Sequence, residues 1–240
     1  MTADRDAQVR LAAFRFLEEQ TANHGDVLPR SLLEKGFVFQ GNRVPLVGPA
    51  GIFKPAIMEL PLSFCTVPPI LGKERPYEDE IGDDDTILYK YRGTDPKHRD
   101  NVGLRRAMAE KAPLIYLYGL VPSQYLPVWP VYIVGDDPSK LTFRVLVGEK
   151  SALVMQRHSA MQGADTDPVR RYVTTETQRR LHQQSFRFRV LRAYHEACAI
   201  CRLGHPELLE AAHILPDKHP QGQPVIPNGI AFCKLHHAAF

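Results

Sequence analysis

A chain of 240 residues with 44% hydrophobic content can fill a core for one large domain or two small ones, which argues against overall disorder. Its 24% charged residues and mean hydropathy of −0.26 are ordinary for a water-exposed protein, and no apolar run reaches the roughly 20 residues a membrane helix needs, which excludes membrane-spanning classes. The net charge of +3 says little about nucleic acid, but its distribution says more: Arg170 to Arg202 holds eight arginines against two acids, whereas Tyr77 to Asp85 holds six carboxylates and no base. The N-terminus MTADRDAQVR mixes both charge signs and lacks an apolar h-region, so neither a secretory signal nor a lipid anchor is expected, and a cytoplasmic location is.

Val9, Ala12, Ala13, Phe16 and Leu17 share one helical face, which predicts a helix from about residue 4 to 23, stopped by Gly25. A short helix is expected from Pro29 to Gly36, and FVFQGNRVPLV reads as two strands around the turn Gly41-Asn42. This helix-helix-hairpin is either a DNA-binding wing with Arg43 near its tip or an N-terminal cap that packs on the rest. Pro55 to Pro69 is proline-broken and expected to be irregular. From Thr86 onward TILYKYRG, PLIYLYGLV, PVYIVGDD and LTFRVLVG read as strands, with DNVGLRRAMAEKA as one helix between the first two. Residues 150 to 177 lack clear periodicity and read as a connector, with SALVMQRH an alternative strand. TQRRLHQQSFRFRVLRAYHEA restores helical spacing, placing Leu181, Phe186, Val190, Leu191 and Tyr194 on one face of a basic amphipathic helix.

Three of the four cysteines and five of the ten histidines fall in the last 43 residues, and without a secretory signal that crowding reads as metal rather than disulfide. Cys198-Ala-Ile-Cys201 and, after 31 intervening residues, Cys233-Lys-Leu-His236 are two halves of a four-ligand set. A two-residue gap lets a turn direct both side chains of each half at one ion, which suits tetrahedral zinc. Four protein ligands leave no open position, so this Zn2+ is expected to be structural.

With those ligands set aside, His213, Asn228 and His237 remain, separated by 14 and then eight residues, within LEAAHILP and PNGIAFCKLHH. The layout resembles the HNH, or ββα-metal, nuclease family, and more closely the McrA-like restriction enzymes with paired CxxC zinc ligands; it covers about residues 180 to 240. The resemblance implies phosphodiester hydrolysis with His213 as general base, a role histidine takes more often than any other side chain. It implies further that Asn228 braces the loop and that His237 ligates a catalytic Mg2+ or Mn2+ that stabilises charge on the phosphate and the leaving oxygen. Ala212 stands where many HNH nucleases carry an aspartate ligand, and relatives usually supply another ligand a few residues after the last histidine, a position beyond Phe240; a module truncated at its C-terminus is therefore expected.

The stretch from Tyr77 through Tyr91-Arg92-Gly93, Asn101 to Met108 and Pro113 to Tyr116 resembles the SRA domain, which flips a modified cytosine out of duplex DNA. The resemblance implies that Tyr77 and Tyr91 sandwich the flipped base and that Glu80 accepts from the cytosine amino group, with Arg92 at the position of the usual threonine. Lys90, Lys97, His98, Arg99, Arg105 and Arg106 are then candidate phosphate contacts. Read without the resemblance, the acidic run is a solvated loop and the tyrosines are core.

The expected fold class is α+β. A small helical, winged part occupies residues 1–60, a mainly β, SRA-like (PUA-like) domain 61–150, a connector 151–178 and a zinc-stabilised HNH module 179–240. The resemblances imply a modification-dependent endonuclease acting on double-stranded, cytosine-modified DNA, with a homodimer as one way to supply two active sites. Two other readings stay open: a zinc-stabilised DNA-binding protein without catalysis, favoured by Ala212, and an HNH nuclease indifferent to methylation.

Overall fold

The apolar stripe near the N-terminus forms helix α1, Thr2–His24, in which Val9, Ala13, Phe14 and Leu17 are buried and Ala12 and Phe16 half-buried. The computed structural model describes residues 2–66, 87–147, 183, 185–216, 219, 222 and 224–240. The chain divides into two units, Met1–Gln178 and Arg179–Phe240. Tyr77, Glu80 and the connector 151–178 lie outside the described residues.

One helical turn apart on α1, Asp6 and Arg10 are buried despite their charge. The Asp6 carboxylate accepts from the backbone N–H groups of Glu59 (3.1 Å) and Leu60 (3.0 Å), while Arg10 donates to the carbonyls of Pro61 and Pro113, both at 2.8 Å. Burial draws the Arg10 guanidinium down to about 10, against the pull of the Asp6 charge. The pair thus serves backbone groups of Glu59, Leu60 and Pro61 in the proline-rich segment and of Pro113 ahead of a later strand.

Strand β1 (Leu28–Pro29) leads into α2 (Arg30–Lys35) and the hairpin β2 (Phe37–Phe39) and β3 (Asn42–Val44). Phe39 pairs with Asn42, so the two-residue turn is Gln40-Gly41, with φ of 48° and 78°, one residue earlier than the expected Gly41-Asn42. Gly36 between α2 and the hairpin is obligatory: at φ 62° an added Cβ would lie 2.0 Å from the Val44 carbonyl oxygen. Arg43, paired with Val38, lies one residue pair from the Gln40-Gly41 turn, near the hairpin tip as expected. Its guanidinium donates to the carbonyls of Lys35 (3.0 Å) and Glu34 (2.7 Å), filling acceptors that the end of α2 leaves open.

Among the described residues the sheet of this unit has seven strands. Six run in the order β4 (Ile52–Phe53), β5 (Ser63–Cys65), β7 (Leu114–Val121), β8 (Gln124–Asp137), β9 (Thr142–Val147) and β6 (Ile87–Lys90), and β1 pairs β8 off that path. Of these pairings β5 with β7 is parallel and the others are antiparallel. β5 lies inside the segment expected to be irregular. β8 begins six residues before the predicted Pro130, and a bulge opposite Leu114 and Tyr116 takes up that proline, which has no N–H for the ladder. Helix α3, Arg99–Ala109, packs between β6 and β7 in sequence as predicted.

Val9, Leu17, Leu33 and Val44 of the N-terminal elements share one core with Ile115, Leu117, Tyr125 and Trp129 of the sheet. The N-terminal residues thus supply two strands of the sheet, β1 and β4, as well as helices that share its core, and the mixed α+β class holds. Asp6→Ala would strand the buried Leu60 amide and free that of Glu59, costing about 1–3 kcal/mol; urea unfolding of the variant is expected to show a midpoint shift of that size with an unchanged slope.

Candidate metal centre and catalytic site

In the second unit, helix α4 over residues 185–193 buries Phe186, Val190 and Leu191 against strands β10 (Leu209–His213) and β11 (Gly229–Cys233), with Tyr194 half-buried beside them. Its arginines are partly structural: Arg187 donates to the carbonyls of Pro206 and Leu209, and Arg189 to that of Pro224. β10 and β11 pair antiparallel from Leu209↔Cys233 to His213↔Gly229, and the five-residue helix α5, Lys234–Ala238, follows directly. This is a ββα arrangement.

The first cysteine pair sits in a tight knuckle after α4. The Cys198 N–H donates to the Leu203 carbonyl at 2.9 Å, the Arg202 N–H returns to the Cys198 carbonyl at 3.0 Å, and Arg202 adopts a left-handed φ of 61°. A further bond, Ala199 N–H to the Ala231 carbonyl at 2.8 Å, fastens the knuckle to β11. Cys233 is the N-cap residue of α5, so His236 comes back toward it after less than one turn.

The four ligand atoms lie within 4.8 Å of one another. Cys201 Sγ is 3.8 Å from Cys233 Sγ, and His236 Nδ1 is 3.5 Å from Cys198 Sγ and 3.3 Å from Cys233 Sγ. A tetrahedral zinc with ordinary bond lengths needs sulfur–sulfur edges of about 3.8 Å and sulfur–nitrogen edges of about 3.6 Å, so the donor set fits zinc. Burial raises the Cys198 thiol, but hydrogen bonds from the backbone of Cys201, Cys233 and Ile200 outweigh it and bring the group to about 6, which favours the thiolate that zinc takes. Cys65 has no part in this group; burial pushes its thiol up to about 11.

His213 ends β10, and its ring stacks on Phe186 of α4 with centroids 4.0 Å apart and planes at 10°. Gly229, its cross-strand partner, faces the same helix: an added Cβ would lie 2.3 Å from Val190 Cγ2 and 3.0 Å from Phe186. The glycine therefore lets α4 approach closely enough to hold the His213 ring.

Asn228 is buried, accepts from the Leu215 N–H at 2.8 Å through Oδ1 and donates to the Leu215 carbonyl at 3.0 Å through Nδ2. Its own carbonyl accepts from Ile214 at 2.9 Å, so it clamps the two residues that follow His213. His237, on α5, meets Glu210 of β10 through Nδ1 and Oε2. Glu210 carries no motif signal and was not among the expected site residues. Ala212, at the position of the family's aspartate, is buried in the core of this unit. Along β10, Glu210 and His213 are three residues apart, about 10 Å, and point to opposite faces.

In the first unit, Tyr91 differs from its expected place. Its ring is 3% exposed and stacks on Phe143 at 4.6 Å, and its hydroxyl donates to Asp136 and accepts from Arg105 at 2.9 Å. A ring held this way is core and is not offered to a base. Burial raises the Tyr91 hydroxyl above its ordinary value, and the Asp136 contact adds to the rise against the opposing pull of Arg105. Arg92, the other described member of the expected base pocket, pairs with Asp100, and its backbone is held by Asn101. Arg105, read as a phosphate contact, is bound to Asp136 at 2.5 Å and to the Pro96 carbonyl.

Stripping zinc removes an interaction worth about 10–16 kcal/mol in small zinc domains, against a typical folding stability of about 5–15 kcal/mol. Chelation is thus expected to unfold Arg179–Phe240 while the amide spectrum of the first unit persists, as read by heteronuclear NMR. Gly229→Ala should cost about 1–3 kcal/mol through overpacking against Val190, with Val190→Ala in the same chain recovering part of it in chemical denaturation.

Residues 198–240 match the HNH endonuclease family designated HNH_2. Among solved structures, the chain is similar to the type IV phosphorothioation-dependent restriction endonuclease ScoMcrA, at 16% sequence identity and a TM-score of 0.29, over 79% of this chain and 50% of that one. The chain thus spans half of that protein's length. No curated protein matches it. Residues 198–240, with their Cys3His cluster beneath a ββα frame, are an HNH endonuclease domain.

Proposed function

We propose that the protein is a metal-dependent DNA endonuclease that hydrolyses phosphodiester bonds through His213, Asn228 and His237, and that it acts on cytosine-modified duplex DNA. The observation that carries the nuclease reading is the conjunction in one small unit of a tetrahedral Cys3His cluster, a loop clamped by Asn228 just after His213, and a histidine presented by the helix that closes the zinc site.

His213 takes the proton of the attacking water. Its ring is oriented by Phe186 rather than by chance rotamer selection, which leaves the geometry of a general base preset. Asn228 holds Ile214 and Leu215 so that the chain leaving His213 cannot drift from the site. His237 is the residue that would hold a divalent ion, Mg2+ or Mn2+, whose chemistry when bound is to stabilise charge on the phosphate and on the departing oxygen. A zinc held by Cys198, Cys201, Cys233 and His236 would have a full set of four protein ligands and so would serve structure rather than the reaction.

Selection of modified cytosine by base flipping is supported by the sequence resemblance of the central domain, whose strand β6, helix α3 and strand β7 fall where the resemblance puts a strand, a helix and a strand. With Tyr91 committed to the core, Tyr77 and Glu80 are the residues left to stack on and hydrogen-bond the base. Stacking of that kind is worth about 1–3 kcal/mol per base.

The test is cleavage of unmodified, 5-methylcytosine and 5-hydroxymethylcytosine duplexes with Mg2+ or Mn2+. Cutting of modified duplexes alone is expected, abolished in His213→Ala with binding nearly intact. Equal cutting of all three would leave a nuclease indifferent to modification. Binding without cutting in any metal would leave a zinc-stabilised DNA-binding protein.

A further inference from the structure

We propose that Ile214 and Leu215, with Val225 beside them, form a rigid apolar wedge that enters a base step of duplex DNA next to the phosphate being cut; the inference rests on the nuclease reading above. The three side chains are 50%, 36% and 39% exposed. Single exposed aliphatic groups are ordinary on any surface, but the backbones of these three converge on one residue. Asn228 accepts the Ile214 N–H on its carbonyl at 2.9 Å and holds both the N–H and the carbonyl of Leu215 through its side chain. Its own N–H donates to the Val225 carbonyl at 2.9 Å. A loop tied in this way presents its apolar side chains on a stiff base. A wedge needs that stiffness, because unstacking a base step costs free energy and a loose loop would yield before the stack does.

Position and charge name the occupant. Ile214 follows His213 directly, with about 3.8 Å between their Cα atoms. A protein partner seated on Ile214 and Leu215 would crowd the group that takes the proton from water, whereas the DNA strand has to come that close for the reaction to occur. From Ala211 to Phe240 the sequence holds one acid, Asp217, against Lys218, Lys234 and four histidines. Arg189 is held on the Pro224 carbonyl, one residue before Val225. A phosphate backbone approaching this loop therefore meets a region of favourable charge. Aliphatic wedges read no base edge, but they favour steps that unstack easily, pyrimidine–purine above all. The wedge thus biases which steps are cut.

The zinc-loaded, full 240-residue chain is tested on 5-methylcytosine duplexes carrying 2-aminopurine at successive positions, first without Mg2+ or Mn2+. Binding by the wild type is expected to raise the fluorescence at one step, and the double variant Ile214→Ser with Leu215→Ser to bind without that rise. With Mn2+ added, the variant should cut the paired duplex about 10- to 100-fold more slowly. A mismatch at the same step, which is already unstacked, should restore most of the rate. If the double variant loses zinc or melts earlier, Ile214→Ala and Leu215→Ala, each tested alone, carry the same comparison.

Wild-type binding with no fluorescence rise at any position overturns the proposal. So does a variant that cuts the paired duplex like the wild type, or one that is slowed equally on paired and mismatched duplexes. A wild type that cuts nothing yet raises the fluorescence, with the rise lost in the variant, overturns the nuclease reading and leaves the wedge as a DNA contact. A wild type that cuts without unstacking any step overturns this inference alone.

Discussion

The C-terminal unit depends on one closure, in which Cys198 and Cys201 on a knuckle meet Cys233 and His236 at the start of a five-residue helix. The buried apolar set around it is small: Phe186, Val190, Leu191, Leu209, Ala212, Ala231 and Phe232, joined by two of the ligand cysteines themselves. A domain of about 60 residues buries a smaller share of its surface than a larger one and is correspondingly marginal. Helix α5 is too short to persist by its own hydrogen bonds. Packing on β10 and β11 gives it a fixed position, which a zinc held by Cys233 and His236 at its first turn would reinforce.

That position matters because His236 and His237 are neighbours. Successive residues on a helix diverge by about 100°, so when His236 turns in to the zinc site, His237 must project to a different side. There it finds Glu210. The turn of His236 toward the three thiols therefore sets the aim of the residue beside it, and the strand that pairs with β11 supplies the contact. On the opposite face of β10, α4 does the corresponding work for His213 by stacking Phe186 on its ring across the gap that Gly229 leaves open.

The zinc ligands were legible in the sequence because their chemistry is local: each half needs only a turn and a two-residue gap. His213, Asn228 and His237 were legible as a spaced pattern. Glu210 was not, since its relation to His237 exists only once β10 and the helix after β11 are side by side, 27 residues apart in the chain. Phe186 read correctly as a buried residue, but nothing in a helical stripe says which of its members touches a histidine. In the first unit, where the sequence left Arg43, Arg105 and Tyr91 open between DNA contact and part of the fold, each meets groups of its own fold: the carbonyls ending α2, the Asp136 carboxylate, the Phe143 ring. Strand β5 was hidden by its three-residue length within a proline-rich segment, where periodicity has no room to show.

The two units use one device at their critical loops. Asn101, fully buried, returns both an acceptor and donors to the backbone of Arg92 and Asp95, and Asn228 does the same for Leu215. A side-chain amide matches a peptide group in donor and acceptor, so it can replace a missing strand partner and hold an irregular loop with no polar atom left over. The same accounting divides the basic segment from Arg170 to Arg202. Arg187 and Arg189 are spent on carbonyls within the unit, whereas Arg192 and Arg202 are exposed. Among the described residues of that segment, phosphate neutralisation would rest on the latter pair, and counterion release scales with the charges that reach phosphate rather than with the arginines a sequence contains.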